Sequence, residues 1–273
     1  GASADTADLT IDGYTTSADY YINVCSANGG AQSLTSNRHQ GVWNTSKQLI
    51  QYSSSSFGGS VITTGDPYVR LVGLQVYQMG TVAYNSAGIT GNCNPVNLTI
   101  DSCIVKIASV NSVSVSAGGG INFAYVSTGG HTTIVKNTIV INAGSGTHTG
   151  GIVIFDYAGT YQIYNCTVFG FAYGVALCSP AWGGTLTIKN CAVFNNTDDF
   201  YNSIGSPTID YCASDDNDGT HAVDLADSAA SWNLQFADYD ATNPDVRLVG
   251  NSLLLMTGIG PASDANVPTT DIA

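Results

Sequence analysis

Two short runs hold the residues best suited to chemistry. Asn195-Asn196-Thr197-Asp198-Asp199-Phe200 carries adjacent carboxylates, and Ser214-Asp215-Asp216-Asn217-Asp218-Gly219 carries three more. Paired carboxylates serve as acid and base in glycoside hydrolysis when they flank the scissile bond, which makes Asp198 and Asp199 the catalytic candidates. Neighbouring residues on a strand, however, face opposite sides. No Gly-His-Gly follows the pair and no Arg-x-Lys motif occurs, so the basic half of a polysaccharide-cleaving set is missing and a polar loop is the simpler account. In the second run Ser214, Asp216, Asp218 and Gly219 stand at Ca²⁺-loop offsets, but Leu225 occupies the place of the bidentate Glu. A solvated turn explains that run more simply. A Ca²⁺ ion, if the chain holds one, is expected there first.

Other chemical signals are weaker. His39, His131, His148 and His221 lie far apart without metal-ligand spacing and read as loop or surface residues, and no Ser stands in a GxSxG elbow. The stretch "GSGTHTGG" lacks the strand and helix of a dinucleotide site, so no such cofactor is expected. The seven cysteines, Cys25, Cys93, Cys103, Cys166, Cys178, Cys191 and Cys212, include no CxxC pair. Neither a zinc cluster nor a full disulfide framework is expected, although a Cys178–Cys191 or Cys93–Cys103 bridge stays open. Phe194, Phe200, Tyr201, Tyr164 and Tyr173 read as outward-facing aromatics that stack along a strand face, on sugars or on a partner.

Composition narrows the partners. The net charge is −13 with only 7 Lys and Arg, which argues against binding nucleic acid or an anionic membrane. No apolar run is long enough to span a bilayer, so no membrane insertion is expected. Charged residues make up 10% of the chain and hydrophobic ones 44%, with Gly, Ser, Thr, Asn and Tyr filling the rest, a composition of strands and turns.

The elements that position these residues are announced by a repeated phrase. "LTIKNCAVFNN" at 186–196 has near-copies in "LTIDSCIVKI", "TIVKNTIVIN" and "YQIYNCTVFG". Leu186 and Ile188 alternate with polar residues, then Cys191 and Val193 resume the alternation one residue out of step, with Asn190 absorbing the slip. Each phrase therefore reads as strand, bend, strand. The bends are Gly73, Ser102, Asn137, Asn165 and Asn190, with Tyr211 in a sixth copy. The central apolar residues Leu71, Ile100, Val135, Ile163, Ile188 and Ile209 are separated by 29, 35, 28, 25 and 21 residues, which are coil lengths of a parallel β-solenoid. Stacked coils place Cys103, Thr138, Cys166, Cys191 and Cys212 in one inward column, a packing ladder. Gly-rich returns such as "GGINFAYV" and "GGIVIF" complete each coil. The phrases contain no regular Thr-x-Thr column, which argues against an ice-binding solenoid.

The expected organisation is a set of N-terminal strands entering the solenoid (1–65), the coils (66–215), and an irregular C-terminal cap with last strands (216–273). "LTIDGYTTSADYYINV", "YVRLVGLQV", the recurring "TIKNCAVFN" phrases and the terminal "DVRLVGNSLLL…GIGPASDANVPTTDIA" together resemble right-handed parallel β-helix proteins of phage and prophage virions and related bacterial surface proteins. The resemblance spans nearly the whole chain, and its motifs are structural. It implies an all-β, single-stranded right-handed parallel β-helix located on a virion surface or outside the cell. It also implies an N-terminal segment preceding the "GYTT" region. The function expected is a non-enzymatic decoration or tail-associated protein whose partners are other virion proteins or copies of itself, with a host glycan as a further contact. The alternatives are a carbohydrate-active lyase or hydrolase and a secreted glycan-binding adhesin.

Overall fold

The structure is a computed structural model that describes residues 4–26, 39–53, 59–80, 87–92, 97–108, 118–124, 130–144, 150–179, 181–239, 245–250, 252 and 254. Its strands form a parallel β-helix in which every coil gives one strand to each of three sheets. The first sheet stacks β1 (Leu9–Ile11), β4 (Ile62–Thr64), β7 (Ala87–Gly91), β10 (Gly119–Ala124), β13 (Gly150–Phe155), β16 (Tyr173–Leu177) and β19 (Asp198–Asn202). The second stacks β2 (Ile22–Cys25), β5 (Val69–Val72), β8 (Leu98–Asp101), β11 (Thr132–Lys136), β14 (Thr160–Tyr164), β17 (Thr185–Lys189) and β20 (Thr208–Asp210). The third stacks β3 (Leu49–Tyr52), β6 (Gln75–Gln78), β9 (Ile104–Ile107), β12 (Ile139–Asn142), β15 (Thr167–Phe169), β18 (Ala192–Phe194), β21 (Ala213–Ser214) and β22 (Val223–Asp224). The strands β1 to β3 thus supply a first coil that pairs with the second as later coils pair, strand on parallel strand.

The corner between the second and third sheets is set by backbone conformation. Gly73, Ser102, Asn137, Asn165, Asn190 and Tyr211 have φ of 68°, 54°, 50°, 51°, 53° and 52°. Only Gly adopts this left-handed region freely; Asn tolerates it through its short polar side chain. At Asn165 that side chain also donates to Asn137 Oδ1 at 3.1 Å, and Asn137 donates to Asp101 Oδ1 at 3.0 Å. The turn is therefore tied coil to coil. Parallel pairing then aligns Val24, Leu71, Ile100, Val135, Ile163, Ile188 and Ile209 into one column.

Just past each bend, Cys103, Thr138, Cys166, Cys191 and Cys212 are buried. The thiols donate to the carbonyl two residues back, at 3.4 Å from Asp101 O, 3.2 Å from Tyr164 O, 3.3 Å from Lys189 O and 3.5 Å from Asp210 O. Thr138 makes the same bond to Lys136 O at 2.8 Å, which explains why a hydroxyl can interrupt a run of thiols. Burial pushes the Cys191 and Cys212 thiols well above their ordinary value, so they are poor nucleophiles. All six described cysteines are free, Cys178 and Cys191 included; Cys93 lies outside the described residues.

A second core lies outside the solenoid. Ile104, Ile139, Ile141, Phe169 and Phe194 project from the outward face of the third sheet and are buried beneath Leu225, Trp232, Phe236 and Val246 of the C-terminal segment, with Trp43 beside them. That segment holds α1 (Ala229–Asn233), capped by Ser228, and a hairpin of β23 (Phe236–Asp238) with β24 (Asp245–Leu248). An antiparallel bridge from Val42 to Asp245 joins it to the loop of the first coil. Phe194 stacks on Phe169 at 5.2 Å and on Phe236 at 4.9 Å, and burying one such ring is worth about 1.5–3 kcal/mol.

The inward register makes a direct prediction. Ile188 is 1% exposed, so Ile188→Asp buries an unpaired charge and should abolish cooperative folding. Lys189→Ala, one position on and outward, should change stability by no more than about 0.5 kcal/mol. Thermal melts of both variants check this, and equal melting points would contradict the register.

Candidate carboxylate site

The two acidic runs, separate in sequence, meet in the last coil. Asp199 sits in β19 between two positions paired with β16, which puts it level with Gly174. In earlier coils Gly88, Gly120, Gly151 and Gly174 occupy this position, because a Cβ there would collide with Val105, Val140, Val168 or Val193 of the same coil. It would also meet a carbonyl oxygen of the next coil, as a Cβ on Gly174 would meet Asp199 O at 2.6 Å. At Asp199 both obstacles are lifted. Among the described residues no further strand follows β19 in the sheet, and Ser214 replaces Val above Val193. Four Gly–Val coils thus end in one Asp–Ser coil, with both polar side chains at 0% exposure.

The carboxylates of the following turn take over the bonds that a next strand would have made. Asp216 Oδ2 accepts from the Asp199 backbone N at 2.8 Å, and Asp215 Oδ2 accepts from the Asn195 N at 3.2 Å. Asp199 Oδ2 in turn accepts from the Asp215 N at 2.9 Å, while its Oδ1 accepts from Asn196 Nδ2 at 2.8 Å. Carboxylates placed on a sheet edge in this way both satisfy its donors and repel an incoming strand.

Placement of the sequence candidates follows from this. Asp198 is half-buried and faces away from Asp199, whose oxygens both accept hydrogen bonds inside the protein, so the structure sets the two carboxylates in different surroundings. Of the Ca²⁺-loop residues, Asp216 joins Asp199 and Asp215, one oxygen of each lying within 4.8 Å of the others. Ser214 Oγ is instead held by the Asp218 N at 3.1 Å. The sequence runs concealed this regrouping because Asp199 and Asp215 become neighbours only through coil stacking. The repeat does carry a signal for it: Asp199 breaks the Gly column and Ser214 the Val column.

The electrostatics are those of crowded acids. Burial, aided by Asp215, pushes the Asp199 carboxyl up to about 9. Asp198, Asp215 and Asp218 are also raised, in each case chiefly by burial and further by neighbouring aspartates such as Asp216. No basic group contributes to any of these shifts. Three carboxylates form a hard oxygen donor set that suits Ca²⁺ or Mg²⁺ better than a soft metal.

The remaining candidates are placed elsewhere. His39 and His131 are not surface residues: each is 1% exposed, His39 Nε2 bonding Ser102 O at 2.8 Å and His131 Nε2 lying 3.2 Å from Asp156 and from Tyr161 OH. His221 is exposed and pairs with Asp210 at 2.9 Å, whereas His148 lies outside the described residues. Phe200 points into the solenoid core, Tyr164 is buried, and Phe194 faces outward but under the C-terminal segment. Tyr173 and Tyr201 stack with centroids 4.3 Å apart, both half-buried.

No family model and no curated protein matches this chain. Among solved structures, a crystal structure of pectate lyase Pel9A aligns over 91% of this chain and 80% of its own, at 14% identity and a TM-score of 0.37. The class is defined by the strand pairing itself: a parallel β-helix closed by carboxylates in its last coil.

The raised carboxyl gives stability a definite pH dependence. Folded Asp199 keeps its proton up to about 9, whereas the unfolded chain releases it near 3.8. Stability should therefore fall as pH rises through that window. Asp199→Asn, which removes the titration, should flatten the slope of melting temperature against pH; an unchanged slope would contradict the assignment.

Proposed function

We propose that this chain is a non-enzymatic structural protein of a viral particle surface, a stiff acidic rod that decorates a capsid or belongs to a tail. The observation that carries the non-enzymatic part is the burial of Asp199. Of the adjacent carboxylates Asp198 and Asp199, the inner one serves in the closure of the β-helix, where at 0% exposure it is unreachable by a glycosidic oxygen. Stiffness follows from coils in which strand bonds, Asn bonds and thiol bonds all run between or within successive turns. The virion setting is supported by the resemblance of the repeated phrases and terminal motifs. Other virion proteins or further copies of this chain are the partners that fit such a rod, and the net charge of −13 weighs against nucleic acid. No helix among the described residues is long and apolar enough to cross a membrane.

Ca²⁺ is the cofactor proposed for Asp199, Asp215 and Asp216, since a divalent ion would offset the repulsion among three carboxylates whose oxygens lie within 4.8 Å of one another. Its addition should raise the melting temperature most at the alkaline end of the range, where the proton no longer does so.

The reading is tested by sedimenting particles from the source of this chain in a density gradient and probing the particle band. Association with particles, together with no new reducing ends and no unsaturated products from a polysaccharide panel, is the expected result. Recovery only as free protein, or turnover of any polysaccharide, would overturn it.

A further inference from the structure

Asn44-Thr45-Ser46 fits the Asn-x-Ser/Thr pattern at which a side-chain amide can accept a sugar, and so do Asn97-Leu98-Thr99, Asn165-Cys166-Thr167 and Asn195-Asn196-Thr197. A pattern this short recurs by chance, so the surroundings of each amide decide among them. The acceptor must be reachable by a large carrier-bound sugar, and its Nδ2 must be unengaged.

Three of the four are built into the solenoid. Asn165 is a left-handed bend residue whose Nδ2 donates to Asn137 Oδ1 at 3.1 Å, and Cys166 after it is buried. Asn97 is half-buried, its Oδ1 accepts from the Thr132 N at 2.9 Å, and it leads straight into β8. Asn195 is exposed but left-handed, at φ of 56°, and its pattern belongs to the carboxylate closure: Asp215 Oδ2 accepts from the Asn195 N at 3.2 Å and Asn196 Nδ2 donates to Asp199 Oδ1 at 2.8 Å.

Asn44 differs from all three. Asn44, Thr45 and Ser46 are exposed on a turn between Trp43 and β3, closed by a bond from the Lys47 N to Asn44 O at 3.0 Å. Gln75 of the next coil, itself buried, clamps the Asn44 backbone, Oε1 accepting from its N at 2.7 Å and Nε2 donating to its O at 2.8 Å. Ser46 donates twice to Asn44 Oδ1, from its backbone N at 2.9 Å and from Oγ at 2.7 Å. The backbone and the side-chain carbonyl are therefore held, the hydroxyl that the pattern requires lies on the same amide, and Nδ2 bonds no described residue. With all three residues exposed, a bulky group added there displaces no buried packing.

We infer that Asn44 is a site of N-linked glycosylation, its Nδ2 receiving a sugar from a polyprenyl phosphate carrier. The Nδ2–C1 bond to the sugar forms as the C1–O bond to phosphate breaks; the phosphate leaves with the electron pair, and Nδ2 gives one of its two protons to the transferase. Peptide mapping by mass spectrometry of the protein isolated from its source tests this. The Asn44 peptide should carry the sugar. Asn44→Gln and Ser46→Ala, made in the same source, should lose it, Ser46→Thr should keep it, and Asn195→Gln should leave it unchanged. An unmodified Asn44 in the parent protein, a sugar confined to the other three patterns, or a sugar retained by Ser46→Ala would overturn the inference. A glycosylated chain that never co-sediments with particles would uphold it while overturning the virion reading, so the two fail separately.

Discussion

The left-handed bend between the second and third sheets is the constraint on which the rest depends. A one-residue corner at φ near 50° is what lets the alternation of buried and exposed residues slip by one and continue. With the slip in place, Ile188 and Val193 both face inward, and the parallel ladder repeats that choice in every coil. A slip anywhere else would turn one strand of the coil inside out. The residues at the bend reflect its cost: Gly bears none, Asn recovers some through bonds to its neighbours, and Tyr211 lies flat against His221 with ring centroids 4.4 Å apart.

A solenoid built this way has two liabilities, its sides and its ends, and the chain treats them differently. The side formed by the third sheet is apolar and is buried by the returning C-terminal segment, so Leu225, Trp232, Phe236, Val246 and Leu254 share one core with the first-coil loop around Trp43. The end after β19 is closed by chemistry instead of by mass. Asp215 and Asp216 supply acceptors where another strand's carbonyls would be, and Asp199 fills the space that a Val side chain and a next-coil carbonyl occupy beside the glycines of earlier coils. The turn also bridges back from Thr220 to Asp210, covering the edge of β20. Such an edge satisfies its own donors while its charge disfavours growth by a further chain.

Much of this was legible in the sequence because it is local and periodic. The inward positions from Val69 to Ile209, the five bends and the thiol column all follow from a period of two with one slip. What the sequence did not disclose depends on which distant residues become neighbours. The first coil was obscured because Val24 and Leu71 are separated by a long connection, so β2 does not look like a copy of the phrase. His39 and His131 read as surface residues, since nothing nearby announces that a carbonyl of Ser102 or a carboxylate of Asp156 will meet them in the interior. Phe194 was read correctly as outward, yet only the fold-back of Phe236 and Trp232 decides that outward is also buried. The acidic runs look separate in the sequence for the same reason: their union lies across a coil.

Amide hydrogen exchange at β19 tests the central claim, that carboxylates complete the last coil as a strand would. If Asp216 truly caps the Asp199 amide, that amide and the rest of β19 should exchange nearly as slowly as the interior strand β16, with protection lost only on global unfolding. Rapid exchange across β19, like that of a free sheet edge, while β16 stays protected would contradict the closure and reopen the carboxylates to a role outside the fold.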